Sequence, residues 1–270
     1  MNNMCSANRQ RVLFLCAMLG IMSISCEKVV DIDLNSSSPN IVIEGSLSDQ
    51  SGPYYVRLSQ TVNFNETNVF PPIRAANVTV NDNAGNSESL IETPPGTYKT
   101  SSWKGVPGRT YTLTVIAGGK TFVAVSTMPN PVTIDSLTVQ TQRFPRNVRK
   151  VINVHFQESV VGKNYYRFVE VKNGIEQKFI FLFDDRVLNG SSVTSSLFAD
   201  KDTLRTGDSL KVLLQCVDKG VYDYFRTMNQ AGGSGRPESA SPANPVSNFS
   251  NGALGYFNAY AVRSKAIIIP

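Results

Sequence analysis

The feature that most constrains the fold is a long series of short segments in which apolar residues alternate with polar ones. In GRTYTLTVI, Tyr111, Leu113 and Val115 alternate with threonines, which is the pattern of a strand with one buried and one solvated face. Turn-forming stretches such as NDNAGN (81–86) and Gly118-Gly119 separate these segments. Many strands at this spacing, without helical periods between them, predict a mostly β protein that begins with an antiparallel, Ig-like β-sandwich.

The stretch MPNPVT (128–133) interrupts this series, because its two prolines cannot donate hydrogen bonds to a sheet. More strand-like segments follow, among them KVINVHF, YYRFVEV and SLKVLLQCV. We therefore predict a β-sandwich domain at residues 41–128 and a second β-rich domain at residues 133–270.

One helix and one mobile loop are predicted in the second domain. The helix is expected near residues 219–230, where Val221, Tyr224, Phe225 and Met228 follow the i, i+3, i+4, i+7 spacing of a helix face. The next stretch, AGGSGRPESASPANPVSN (231–248), is rich in Gly, Ser and Pro and has little to bury, which predicts a mobile loop.

The first 25 residues have the layout of a secretory signal peptide. Arg9 and Arg11 precede an apolar run over residues 12–22, and the small residues Ser23 and Ser25 follow it. The run is about eleven residues long, whereas a membrane-spanning helix takes roughly twenty. We therefore predict that residues 1–25 are removed rather than retained as an anchor.

Cys26 follows this segment directly, and the four residues SISC (23–26) resemble a bacterial lipobox, whose cysteine is acylated after the preceding bond is cut. The alternative is an ordinary signal peptide with a chance cysteine near its end. The lipid interpretation makes Cys26 the lipid attachment site and residues 26–40 a polar tether. The mature chain then keeps only Cys26 and Cys216, and Cys216 lies on the apolar face of a predicted strand, so a disulfide scaffold is excluded.

Charge excludes one class of partner. The formal charge of +5 falls to +3 after removal of residues 1–25, because Arg9 and Arg11 leave and no acidic residue leaves with them. The remaining Lys and Arg residues are spread among acidic and apolar ones, which is typical of a solvated surface. The sequence therefore indicates no nucleic-acid partner.

Catalytic and metal-binding patterns are weak, and we expect no enzyme activity, no cofactor and no metal site. His155 is the only histidine and points outward from Ile152, Val154 and Phe156 in a predicted strand. No G-x-S-x-G motif is present. The acidic pairs suit solvated turns better than a glycosidase dyad; they are Asp31/Asp33, Asp184/Asp185 and Asp200/Asp202.

Aromatic residues beside turns offer a candidate ligand contact, because flat rings stack on sugars. Trp103, in TSSWKGVPG, is the best single candidate, and Tyr54 and Tyr55 after Gly52-Pro53 come behind it. The competing interpretation is that these rings belong to the core, as most aromatic residues of β-sandwiches do.

Several stretches together resemble a lipoprotein family of the Bacteroidetes that is known only as a domain of unknown function. They are EKVVDIDL, NIVIEGSLSD, PPGTYKTSSWKGVPGRTYTLTV, TMPNPVTIDSL, VYDYFRTM and NPVSNFSNGALGYFNAY. Residues 76–115 are also similar to the small β-sandwich modules of carboxypeptidase regulatory type. These motifs are turn and strand patterns, so the resemblance transfers no active site.

Genes of that family commonly lie beside those of TonB-dependent receptors, and this implies a location and a partner. We expect a non-catalytic lipoprotein, anchored to the outer membrane on its periplasmic or cell-surface face, that serves as an accessory partner of such a receptor in uptake or surface assembly. The alternative is a surface lipoprotein that binds a glycan or a protein in the manner of an adhesin.

Overall fold

The computed structural model describes residues 39–63, 66–67, 69–144, 147–160, 162–184, 190–198, 204–231 and 244–270. Nearly all of the predicted strand segments form strands, and the predicted helix is present as α1, Lys219–Ala231. The strands of the first half are β1 Ile41–Ser48, β2 Tyr55–Gln60, β3 Asn77–Asp82, β4 Ser87–Ser89, β5 Ile91–Glu92, β6 Thr97–Lys99, β7 Thr110–Ala117 and β8 Lys120–Thr127. Those of the second half are β9 Ile134–Phe144, β10 Asn147–Gln157, β11 Tyr165–Lys172, β12 Ile175–Glu176, β13 Phe181–Asp184, β14 Ser192–Leu197, β15 Ser209–Val217 and β16 Leu254–Ile268.

The largest sheet has nine strands among the described residues and joins the first described strand to the last. Its order is β12-β11-β15-β16-β1-β2-β6-β5, and β13 pairs additionally with β11. β16 is antiparallel to β15 but parallel to β1, with Gly45 opposite Phe257 and Ser48 opposite Tyr260. The first described strand is therefore a direct neighbour of the last one.

A four-stranded sheet, β4-β3-β7-β8, packs on one face of the large sheet. Tyr111, Leu113 and Val115 of β7 are fully buried, which confirms the predicted alternation. The two sheets approach closely at Gly45, where a Cβ atom would lie 3.3 Å from Leu113 and 3.6 Å from Phe257. This layered, mostly β arrangement is the predicted sandwich-like fold.

A three-stranded sheet, β14-β10-β9, covers another part of the same face. The ring of Phe156 on β10 lies 5.2 Å from Tyr166 and 5.9 Å from Phe168, both on β11. Aromatic pairs at this distance contribute stability beyond that of the apolar area they bury, so they stabilise the packing of the small sheet on the large one.

Helix α1 packs on the opposite face of the large sheet. Its buried side chains include Tyr224 and Phe225, whose rings lie 4.8 and 4.9 Å from that of Tyr256 on β16. Met228 was predicted to share this face but is 41 % exposed, so that part of the prediction is wrong. Tyr222 is buried instead, because its ring packs 5.0 Å from that of Tyr165 on β11.

Asp218 ties the start of α1 to the four-stranded sheet. Its Oδ1 accepts a hydrogen bond from the N–H of Val221 (2.9 Å), which is a helix N-cap. Its Oδ2 accepts from the hydroxyl of Ser126 (2.5 Å) and from the N–H of Thr127 (3.1 Å) at the end of β8. The Ser126 oxygen in turn accepts the N–H of Ala259 on β16 (2.9 Å). One carboxylate thus connects α1 with β8 and, through Ser126, with β16.

Cys216 is buried, as the alternation in its strand predicts, and its Sγ accepts the N–H of Val132 at 3.3 Å. Burial raises the pKa of the Cys216 thiol to about 11. The division of the mature chain near residues 128–133 stays a prediction. By their contacts, residues 38–270 form one group. Among the described residues, no helix has both the length and the apolar character needed to cross a membrane.

Candidate functional site

The turn that carries Trp103 is held in place by backbone hydrogen bonds from the β1–β2 connection. The Trp103 carbonyl accepts the N–H of Gly52 at 3.0 Å, and the Gly105 N–H donates to the carbonyl of Ser48 at 2.8 Å. A Cβ atom at Gly105 would lie 2.3 Å from Met128 Cε and 2.6 Å from the Ser48 oxygen. Only glycine fits there, so the conformation of this turn is tightly specified.

Trp103 is half-buried and lines a polar cleft of about 520 Å³. The edge contact of its ring with Tyr111, at 6.5 Å and 73°, ties it to the core. The other residues of this cleft, here called the Trp103 cleft, are mostly polar or charged: Asp82, Asn86, Ser87, Glu88, Ser101, Ser102, Lys104 and Arg109. An aromatic side chain beside hydrogen-bonding groups is the combination that small-molecule sites use. The structure therefore accommodates both interpretations of Trp103, since the residue contacts the core and also lines a cleft.

The carboxylates of the Trp103 cleft are already engaged by the protein. Buried Asp82 accepts hydrogen bonds from the Asn86 N–H (2.9 Å), the Asn86 amide (2.8 Å) and Arg109 Nη1 (2.8 Å). Burial alone would raise the pKa of Asp82, but these bonds outweigh burial and hold it below its usual value. Glu88 accepts from the N–H and hydroxyl of Ser101 at 2.5 and 2.9 Å. Asp82 and Glu88 therefore shape the cleft rather than offer free carboxylates.

A second and larger cleft, of about 810 Å³, shares Lys104 with the Trp103 cleft. We call it the cationic cleft, because its charged residues are Lys104, Lys211, Arg263 and Asp49. Arg263 Nη1 donates to Asp49 Oδ2 at 2.5 Å, and the carboxylate also accepts from Gln50 and from the N–H of Val262, both at 3.0 Å.

The charge of the cationic cleft is positive overall. Burial would raise the pKa of Asp49, but the hydrogen bonds from Arg263, Gln50 and Val262 outweigh burial and hold the pKa below its usual value. Asp49 therefore stays ionised and neutralises Arg263. The ammonium groups of Lys104 and Lys211 form no ion pair or hydrogen bond with any described residue. Two positive charges thus remain for a ligand. The sequence did not reveal this cleft, because its cations come from three distant strands and turns and form no basic run.

The other two aromatic candidates, Tyr54 and Tyr55, do not line the Trp103 cleft. Tyr54 is half-buried, and its hydroxyl donates to the carbonyl oxygens of Ser48 and Gln50. Tyr55 is 48 % exposed but lies on β2 beside Arg57, at a separate small cleft of about 260 Å³. Of the three predicted aromatic contacts, only Trp103 lines the Trp103 cleft.

His155 lies on the partly exposed side of β10, as predicted. Its Nε2 is hydrogen-bonded to Thr138 Oγ1 at 2.8 Å and its Nδ1 to Thr194 Oγ1 at 2.9 Å. It lines neither of the two clefts described above. Over the part of the chain that the structure describes, no three His, Cys, Asp or Glu residues are grouped as a metal site would need.

Other predicted features lie outside the described residues. They are Cys26, all but the last two residues of the tether, most of the predicted mobile loop (232–243), and five members of the acidic pairs, Asp31, Asp33, Asp185, Asp200 and Asp202. Asp184, the remaining member, is the last residue of β13 and is half-buried.

Comparison with known proteins identifies the family. A family model described as Domain of unknown function (DUF4249) matches residues 27–266, so the chain belongs to this family. None of the curated proteins compared with the chain matches it. The family match begins one residue after Cys26 and covers every described strand from β1 to β15 and most of β16.

Proposed function

We propose that this member of the DUF4249 family is a non-catalytic lipoprotein of the bacterial cell envelope, tethered through Cys26 and associated with a TonB-dependent receptor at the outer membrane. The observation that carries the proposal is the position of Cys26. It directly follows a signal-peptide-like segment, and the family match starts at the next residue. This is the arrangement expected if Cys26 is the first residue of the mature protein.

A lipid tether explains why a modest protein contact suffices for such a role. Two or more acyl chains hold a protein stably at a membrane, whereas one chain holds it only marginally. Confinement at the membrane raises the effective concentration of the protein near an integral partner. The polar residues 27–40 would give the folded part the reach to find that partner.

Two measurements test this proposal. Mass spectrometry of the N-terminal peptide of the native protein is expected to find Cys26 acylated, and an unmodified Cys26 in a soluble protein would refute the tether. Affinity purification from detergent-solubilised outer membranes is expected to enrich a TonB-dependent receptor over an unrelated lipoprotein used as bait. Recovery of the chain without a receptor would refute the association. The Cys26→Ser variant is the matched control, since it keeps every described contact but lacks the acylated sulfur.

The Trp103 cleft favours a second candidate function, the binding of a glycan at the cell surface. A half-buried indole beside serine, lysine and arginine side chains offers a stacking surface and hydrogen-bond donors together. A glycan array is expected to show binding that Trp103→Ala abolishes and Trp103→Phe partly keeps, because the smaller ring still stacks. Tyr55→Ala, at an exposed aromatic outside this cleft, is the control and should bind like the wild type. Equal binding by all four proteins, or by none, would remove this candidate.

A further inference from the structure

The C-terminal half of β16 has an edge that no described strand covers. In a strand, the N–H and C=O of one residue point to the same side, and successive residues alternate. The carbonyl of Tyr260 accepts the Asp49 N–H, and the N–H of Val262 donates to Asp49 Oδ1, so even-numbered residues of β16 point towards β1. β1 ends at Ser48, opposite Tyr260. The backbone groups of the later even-numbered residues, 264, 266 and 268, therefore face a side on which no described strand pairs with them.

These backbone groups are accessible and have no partner among the described residues. Ser264, Ala266 and Ile268 are exposed, and their N–H and C=O groups have no hydrogen bond on this side to any described residue. Earlier along β16, side chains occupy the groups that no strand pairs. Asn248 bonds both the N–H (2.9 Å) and the C=O (2.8 Å) of Phe257, and Ser126 accepts the N–H of Ala259. Side chains thus bond the unpaired backbone groups of Phe257 and Ala259, whereas those at 264–268 have no described partner. An edge of this kind is a template for an added strand.

The charge around this edge selects the kind of strand that fits. The edge begins in the cationic cleft, which Val262 and Ser264 help to line. Lys211 lies directly opposite Ala266 in the β15–β16 register, and neither its ammonium group nor that of Lys104 has a described partner. Lys265, on the other face of β16, donates to the carbonyl of Asp135. A segment laid along the edge therefore meets unneutralised positive charge.

We infer that the edge of β16 from Ser264 to Ile268 binds an extended acidic segment of a partner protein, which pairs with it as an added β-strand. Backbone hydrogen bonds supply the affinity in this mode of recognition, and side-chain surroundings supply the specificity. Lys104 and Lys211 would attract the carboxylates of the incoming segment. The inference rests on the proposed association with a receptor, because it names the surface through which that partner is held.

Synthetic peptides test the edge without any receptor. The first probe is a fluorescein-labelled, end-blocked octapeptide of alternating Glu and Thr. The second carries Lys in place of Glu, and the third is the acidic peptide with alternate backbone nitrogens methylated, which removes the donors of one edge. Fluorescence anisotropy with the full mature chain in detergent is expected to show at least tenfold tighter binding of the acidic peptide than of either other probe. Equal binding of the methylated peptide would mean charge attraction alone and would overturn strand addition, as would no binding of any probe.

Two pairs of variants locate the binding. Ala266→Pro removes an N–H that makes no bond within the described fold, and edge strands tolerate such a proline. It is expected to weaken the acidic peptide about fivefold, the effect of losing one hydrogen bond, whereas Ala266→Val keeps the N–H and should change affinity less than twofold. Lys211→Glu should weaken the acidic peptide and strengthen the Lys peptide, and Lys120→Glu, at the exposed first residue of β8, should do neither. Unchanged binding by Ala266→Pro would refute the assignment to this edge.

Three further outcomes identify the occupant of the edge or separate this inference from its premise. If the acidic peptide binds only after residues 27–38 are deleted, the acidic tether of the chain itself occupies the edge, and a partner protein is excluded. If the receptor co-purifies with Ala266→Pro as well as with the wild type, the receptor association stands but this edge is not its contact. If no receptor co-purifies and the peptide still binds as described, the edge remains a binding site for acidic strands while the receptor proposal fails.

Discussion

Replacing Asp218 by alanine is expected to destabilise the fold by about 3 kcal/mol. Loss of the N-cap bond to the Val221 N–H costs about 1 kcal/mol. Loss of the Oδ2 acceptor leaves the hydroxyl of Ser126, which is 1 % exposed, as a buried donor without its partner, at about 1–3 kcal/mol. The N–H of Thr127 also loses its 3.1 Å bond, but it lies at an exposed position where water replaces the carboxylate.

The matched control is Asp223→Ala, which makes the same change of charge and size within the helix that Asp218 caps. Asp223 pairs with Lys219 and Arg226, whose side chains are 69 % and 41 % exposed, so its ion pairs are worth about 0–1 kcal/mol. Urea unfolding followed by circular dichroism measures both variants against the wild type. At about 2–4 °C per kcal/mol for a domain of this size, Asp218→Ala should also lower Tm by about 6–12 °C. If the two variants differed by less than about 0.5 kcal/mol, Asp218 would not connect α1 to the sheets as argued.

Three further predictions concern buried residues. Gly105→Ala is expected to cost about 1–3 kcal/mol in urea unfolding, because the new methyl group collides with Met128 and with a backbone oxygen that cannot move cheaply; wild-type stability would contradict this. Cys216 should resist iodoacetamide at pH 8 in the folded protein and react fully in urea, since its thiol is buried and its pKa is raised to about 11; rapid labelling of the native protein would contradict its burial. The pKa values of Asp49 and Asp82 are lowered on folding, so the unfolded chain binds more protons in acid than the folded protein does. The free energy of unfolding should therefore decrease as the pH is lowered from about 4. Asp82→Asn should make that loss shallower in acid titrations followed by circular dichroism, and an unchanged acid limb would contradict the role of Asp82.

Much of the local structure follows from the sequence alone. Alternation identified β7, β10 and β15, and the i, i+3, i+4 spacing identified α1, because side-chain direction along one element depends only on its own backbone geometry. The outward position of His155 and the burial of Cys216 follow from the same rule. Met228 was misplaced because spacing identifies a helix face but does not say how far along the helix the sheet extends beneath it.

The candidate sites depend on pairings that no local pattern specifies. β16 lies between β15 and β1, and its pairing with β1 joins residues more than two hundred positions apart. Trp103 was identifiable as an aromatic residue beside a turn, but the cleft that it lines is completed by Asp82 and Arg109 from other strands and turns. Lys104, Lys211 and Arg263 are unremarkable in sequence and share a cleft because the fold brings together the turn after β6, β15 and β16. The alternation of buried and exposed side chains in a strand depends on the residues of that strand alone. Which strands become its neighbours, and which edges remain unpaired, depends on how the whole chain packs.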